Sequence, residues 1–248
     1  MCKKLVIAAA VVMLTVPVFG VSLGPPKATL PAGDFSAGVD VSHSKMDVKT
    51  DFGSVNGITN DTAALVVNYG VFDNVTLTGI IGAGEVDHKQ FDAETGLVVG
   101  GAVSATFIED MLGVDIGGIC QVVHQQGTIE TPAPKVGYWR GRRSWKRYVI
   151  PQQTPSVIES DFDFTTIILA AGPTWESGSL TLYGGPLLAY LDGNVETPYQ
   201  VNIGVDEKAR AGVFCGGSYE IWENAAVNID YVTTGAIQTL GISGTFAF

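Results

Sequence analysis

The stretch 135–150 concentrates the residues best suited to bind something: Lys135, Tyr138, Trp139, Arg140, Arg142, Arg143, Trp145, Lys146, Arg147 and Tyr148. Guanidinium forks match the geometry of phosphate, sulfate and carboxylate groups. Tyr and Trp add stacking area and settle at polar–apolar boundaries. Pro132, Pro134, Pro151 and Pro155 bracket the stretch, which places it in a loop. Phosphate groups, an acidic surface glycan or a partner's acidic patch fit this chemistry. A solvated loop that balances an acidic protein accounts for the same residues.

Three histidines, His43, His88 and His124, are the remaining groups with metal or acid–base potential. No His–Asp spacing around them is diagnostic. No catalytic residue, metal ligand or cofactor is assigned from the sequence. Cys120 and Cys215 read as lipid-facing residues on strands too far apart for a disulfide.

The elements that must hold these residues show a period of two. At the C-terminus Leu240, Ile242, Phe246 and Phe248 fall on one face, and Thr239, Gly241, Ser243, Thr245 and Ala247 on the other. Alternate side chains of a strand face opposite sides, so each segment has one apolar face and one small or polar face. The spacing predicts strands at 34–45, 62–70, 74–83, 96–108, 113–124, 161–175, 179–190, 207–221, 225–233 and 236–248. Short connections alternate with longer ones at 46–61, 84–95, 125–160 and 191–206. The pattern predicts a transmembrane antiparallel up-and-down β-barrel of about ten strands, with eight or twelve as the neighbouring counts. A soluble β-sandwich also alternates, but its outer face carries long polar side chains. Here the non-apolar face is Gly, Ala, Ser, Thr and a few acids, as a narrow lumen requires.

On that face the acids are Asp40, Asp115, Asp163, Glu220 and Asp230, with Arg210 as the inward base. They read as a polar network that plugs the lumen, or as the lining of a cation-preferring pore. Barrels of about eight strands are filled by their own side chains, which favours the plug.

The N-terminus sets the compartment. Lys3 and Lys4 precede an apolar run from Leu5 to Phe19, and Gly20 and Ser22 follow. This is the pattern of a cleaved secretory signal peptide at 1–22, with Val18-Phe19-Gly20 and Gly20-Val21-Ser22 as candidate cleavage triplets. Residues 23–33 then form a periplasmic N-terminal segment and 34–248 the barrel. Removing Lys3 and Lys4 leaves 12 bases against 25 acids, a net charge near −13. That balance excludes a general nucleic-acid binder.

The final strand, with Phe246 and the terminal Phe248, resembles the C-terminal assembly signal of bacterial outer-membrane β-barrel proteins. Tyr69 to Gly79 resembles a periplasmic turn between two of their strands. The resemblance is architectural, covers most of the mature chain and names no particular member. It implies residence in the outer membrane of a Gram-negative bacterium, contact with its lipid and lipopolysaccharide, and insertion by the barrel-assembly machinery. Three functional readings follow: a small non-enzymatic barrel, structural or a narrow porin-like channel, displaying loops at the cell surface; an adhesin or polyanion binder working through 135–150; and a rim-site enzyme of omptin or acyltransferase type.

Overall fold

The computed structural model describes residues 21–50, 53–87, 92–93, 95–132, 157–196, 202–235 and 237–248. Ten long strands form one closed antiparallel barrel: β1 Phe35–Thr50, β2 Gly53–Phe72, β3 Val75–Asp87, β5 Thr95–Ile108, β6 Val114–Pro132, β7 Val157–Ser177, β8 Leu180–Glu196, β9 Asn202–Trp222, β10 Ala225–Thr234 and β11 Ile237–Ala247. A two-residue strand, β4 at Asp92–Ala93, pairs with Ile129 and Glu130 of β6 near the rim. Each long strand pairs with its sequence neighbours, and β11 pairs back onto β1 from Ser36↔Ala247 to Met46↔Ile237. Closure leaves no unpaired edge, which a polar backbone in lipid cannot tolerate.

Alternation is why these segments pair this way round. Val39, Val41, Leu65, Val67, Ile81, Val99, Leu169, Leu188, Val213 and Ile229 are exposed around the outside; Leu65 is 59% and Val213 58% accessible. An apolar belt of this kind is a lipid-facing surface. On the other face Ser36, Asp40, Ser42, Ser44, Thr62, Thr76, Gln121 and Asp230 are buried in the lumen. Cys120 and Cys215 are free and exposed, on the outer face.

The strands run further than the sequence reading on the long-connection side. β1 and β2 together cover most of 46–61, and β6 and β7 extend to Pro132 and from Val157. There the outer face turns polar, with Asp61, Asp87, Gln126, Asp161, Asp163 and Asp192 exposed. These hairpin tips have left the hydrocarbon, so backbone pairing continues without the apolar alternation that marks the spanning part.

The short turns close the opposite end. Asp73–Asn74, Gly178–Ser179 and Glu223–Asn224 each link two strands with two residues. At the β5–β6 turn, Asp110, Leu112 and Gly113 have positive φ of 49°, 59° and 80°. The terminal residue is tied in here: Phe248 N donates to Phe35 O at 3.0 Å, and the two rings stack with centroids 5.0 Å apart.

Residues 21–34 are where sequence and structure part most. The sequence reading set 23–33 on the periplasmic side; the structure seats the segment within the barrel, entering from the short-turn mouth. Val21 and Leu23 are buried among lumen side chains.

Candidate functional site

The segment climbs the lumen on a ladder of bonds. At the mouth Gly70 N donates to Asp34 O at 2.9 Å, and Ala32 N to Asp73 Oδ1 at 3.1 Å. Around the same mouth Thr29 N donates to Thr76 Oγ1 and Ala28 N to Thr106 Oγ1, both at 3.1 Å. Lys27 then reaches Asp115 Oδ2 at 2.8 Å and Glu176 Oε1 at 2.7 Å. Burial pulls the Lys27 pKa down, but hydrogen bonds and charge attraction from Asp115 and Glu176 outweigh it. The ammonium ends above the ordinary lysine value. At the top Gly24 N donates to Asp230 Oδ2 at 3.4 Å and Ser22 N to Asp40 Oδ2 at 3.1 Å. Gln121 Nε2 donates to the Ser22 carbonyl at 3.3 Å. Asp40 and Asp230 each stand five residues above the short-turn end of their strands, about 17 Å along a strand.

Missing side chains make room for the segment. A Cβ on Gly117 would strike the Pro26 carbonyl, and one on Gly241 would strike Ser22 Oγ. Likewise Gly216 leaves space for the Tyr183 ring, whose hydroxyl donates to Asp230 Oδ1.

Above the segment the lumen stays filled. Asn60 on β2 and Gln125 on β6 form a reciprocal amide pair across it, with Gln125 Nε2 donating to Asn60 Oδ1 at 2.9 Å. Towards the long-loop end Met46, Ile58, Val86, Ile129, Phe162 and Leu191 form an apolar cluster, joined by Phe164 and Ile237. A cavity of about 400 Å³ surrounds the segment, and one of about 80 Å³ lies above Val21 and Leu23.

Of the six residues of the expected lumen network, Asp40 and Asp230 come together at mid-height, and Asp115 holds Lys27. Glu220 lines the larger cavity near the mouth. Arg210 stands apart, its Nη1 3.8 Å from where a Cβ on Gly235 would lie, at the β10–β11 turn. Asp163 is a correction: it faces outward and is exposed, while its neighbours Phe162 and Phe164 point into the lumen. Above the lipid the outer face meets water, so the strand turns its acids out and its aromatics in. The sequence reading missed Lys27, Tyr183 and the Asn60–Gln125 pair. The available signal was charge: an inward face with four further acids and one base needs another cation, and Lys27 directly precedes the strands.

His43 Nδ1 meets Asp61 Oδ1 at 2.9 Å across β1 and β2. His124 Nδ1 meets Thr165 Oγ1 at 3.2 Å and Asp163 Oδ1 at 3.6 Å across β6 and β7. These are two separate surface pairs on different strands. No group of three metal-ligating side chains occurs among the described residues. His88 and all ten residues singled out in 135–150 lie outside the described residues.

No family model matches the chain, and no curated protein does. Solved structures do. The barrel is similar to the translocator domain of the autotransporter NalP from Neisseria meningitidis, at 9% identity, covering 88% of this chain and 90% of that one, with a TM-score of 0.48. It is similar to the COG4313 outer membrane channel from Pseudomonas putida F1, at 10% identity, 92% and 100% coverage and a TM-score of 0.47. For Ail, the attachment invasion locus protein of Yersinia pestis, the values are 11%, 88%, 99% and 0.32. The fold itself rests on the closed register of the ten strands.

Proposed function

We propose that this is a small non-enzymatic outer-membrane barrel with a closed lumen, whose work lies in the hairpins it holds outside. One observation carries the reading: residues 21–34 occupy the lumen from the mouth to mid-height, below an amide pair and an apolar cluster. The leader-like sequence at 1–22 and the lipid-facing belt support an outer-membrane location. The test is conductance in planar bilayers. The purified protein should insert and pass no steady ohmic current, and a chain lacking 21–33 should pass more. A stable open current from the intact protein would make it a channel.

A second reading, polyanion binding by 135–150, draws support from the hairpin beneath it. β6 has 19 residues and β7 has 21, whereas about 9–11 cross a bilayer, so the strands carry their ends, Pro132 and Val157, well clear of the lipid. Replacing Arg140, Arg142, Arg143 and Arg147 by Ala should leave folding intact and remove the salt-sensitive part of lipopolysaccharide binding. Charge contacts in water fade beyond about 8 Å at physiological salt. Wild-type protein that binds no polyanion at low salt would sink this reading.

A further inference from the structure

We propose that the chain is cut between Gly20 and Val21, and that the new α-ammonium group of Val21 becomes the buried counter-ion of Asp40 and Asp230.

The two carboxylates flank β11, opposite Ser243 and Gly241 respectively, and face the same part of the lumen. They are 1% and 2% exposed. Their donors in the structure are neutral: Ser22 N, Gly24 N and the Tyr183 hydroxyl. Asp40 Oδ1 is buried without any hydrogen-bond partner. No Lys or Arg among the described residues is ion-paired with either carboxylate; Lys27 is engaged lower down. Burying charge is costly unless it is paired and hydrogen-bonded, and neutral donors offset only part of that cost. Val21 N is one residue from Ser22 N, which places it within about 7 Å of Asp40 Oδ2. As a chain amide it brings one hydrogen and no charge. As a terminus it brings three hydrogens and a full positive charge.

The groove also distinguishes the two candidate bonds. Cutting after Ser22 would remove Val21, 6% exposed and packed on Ala64 and Ile80. It would remove the N–H held by Asp40, the carbonyl held by Gln121 and the side chain for which Gly241 leaves room. Cutting after Gly20 keeps all four. An export-linked signal peptidase adds one water across the Gly20–Val21 bond, giving a Gly20 carboxylate that leaves with the leader and a Val21 ammonium that stays.

The seat of Val21 rests on the closed-lumen reading, which conductance tests separately; the experiments here read only the terminus. Protein from outer membranes is sequenced from its N-terminus and weighed intact. A start at Val21 is expected, and a start at Leu23 or elsewhere overturns the assignment. The folded barrel in detergent is then treated with an amine-acylating reagent at neutral pH, with the heat-unfolded chain as reference. The Val21 amine should react about tenfold or more slowly when folded, because burial and pairing withhold the free base. Exposed Lys45 serves as the internal control. Asp40→Asn should restore much of the lost reactivity. Equal reactivity in folded and unfolded wild type places the terminus outside the lumen and ends the proposal. Undiminished protection in a folded Asp40→Asn barrel refutes the counter-ion role. If that variant fails to fold, the wild-type comparison still decides whether the amine is buried.

Discussion

Lys27 joins β6 to β7 through Asp115 and Glu176, and so anchors the lumen segment to the wall. Replacing it with Ala should lower the thermal midpoint by about 2–4 °C, the effect of losing ~1 kcal/mol in a chain of this size. The pH dependence follows from the direction of the shift. A lysine whose folded pKa is raised stabilises fully below its unfolded value of about 10.4. That contribution is lost as pH rises through the folded value. The gap between wild type and Lys27→Ala should therefore hold from neutral pH to about pH 10 and shrink above it. A gap that persists undiminished well above pH 10 would mean that the lysine's methylenes, not its charge, do the holding. Single residues of this kind were only half legible. Asp40, Asp115, Glu220 and Asp230 could be set inside because strand parity fixes the side. Their partners could not, since Ser22, Gly24 and Lys27 lie on a segment without periodicity. Asp163 was misplaced because parity was read as if lipid surrounded the whole strand.

The seam between β1 and β11 is the element where sequence and structure agree most closely, because the last strand has the clearest alternation. Eleven cross-strand pairs close it, and the Phe248 ring lies on Phe35 with its amide on the Phe35 carbonyl. Phe246 also packs edge-on against Phe248, with centroids 5.1 Å apart. Removing Phe248 deletes one seam hydrogen bond and two ring contacts at the point of closure. Barrel recovered from membranes should fall several-fold, and the remaining protein should unfold at lower temperature. Equal yield and equal thermal midpoint would reduce this ring to a lipid anchor. The other strand ends were less legible. β2 begins at Gly53 rather than 62, for outside lipid the apolar residue turns inward, as Ile58 does, and the polar one faces water, as Asp61 does.

For the whole molecule, ten strands closed without an edge and filled along the lumen predict cooperative loss of structure. On unheated gels the protein should migrate apart from the boiled chain, and the shift should disappear over a narrow temperature interval. Deleting residues 21–33 should preserve the shift and lower that temperature, since the wall's backbone pairing survives without its filling. A deletion that abolishes the shift would make the segment part of the barrel's framework. The barrel as a class was legible because period-2 alternation recurs ten times. What fills it was not, because nothing in the composition of 21–34 distinguishes a lumen segment from a tail.

The path of that segment also sets an order of events. Residues 21–34 precede every strand in the chain. Yet their partners are spread from Asp40 through Thr76, Thr106, Asp115 and Glu176 to Asp230. The groove that receives them is complete only when β11, whose Gly241 leaves room for Ser22, has paired with β1. The segment that precedes every strand is therefore the last to be seated. A chain stalled before β10 would hold this N-terminus loose and open to protease, so its clipping reports assembly still in progress.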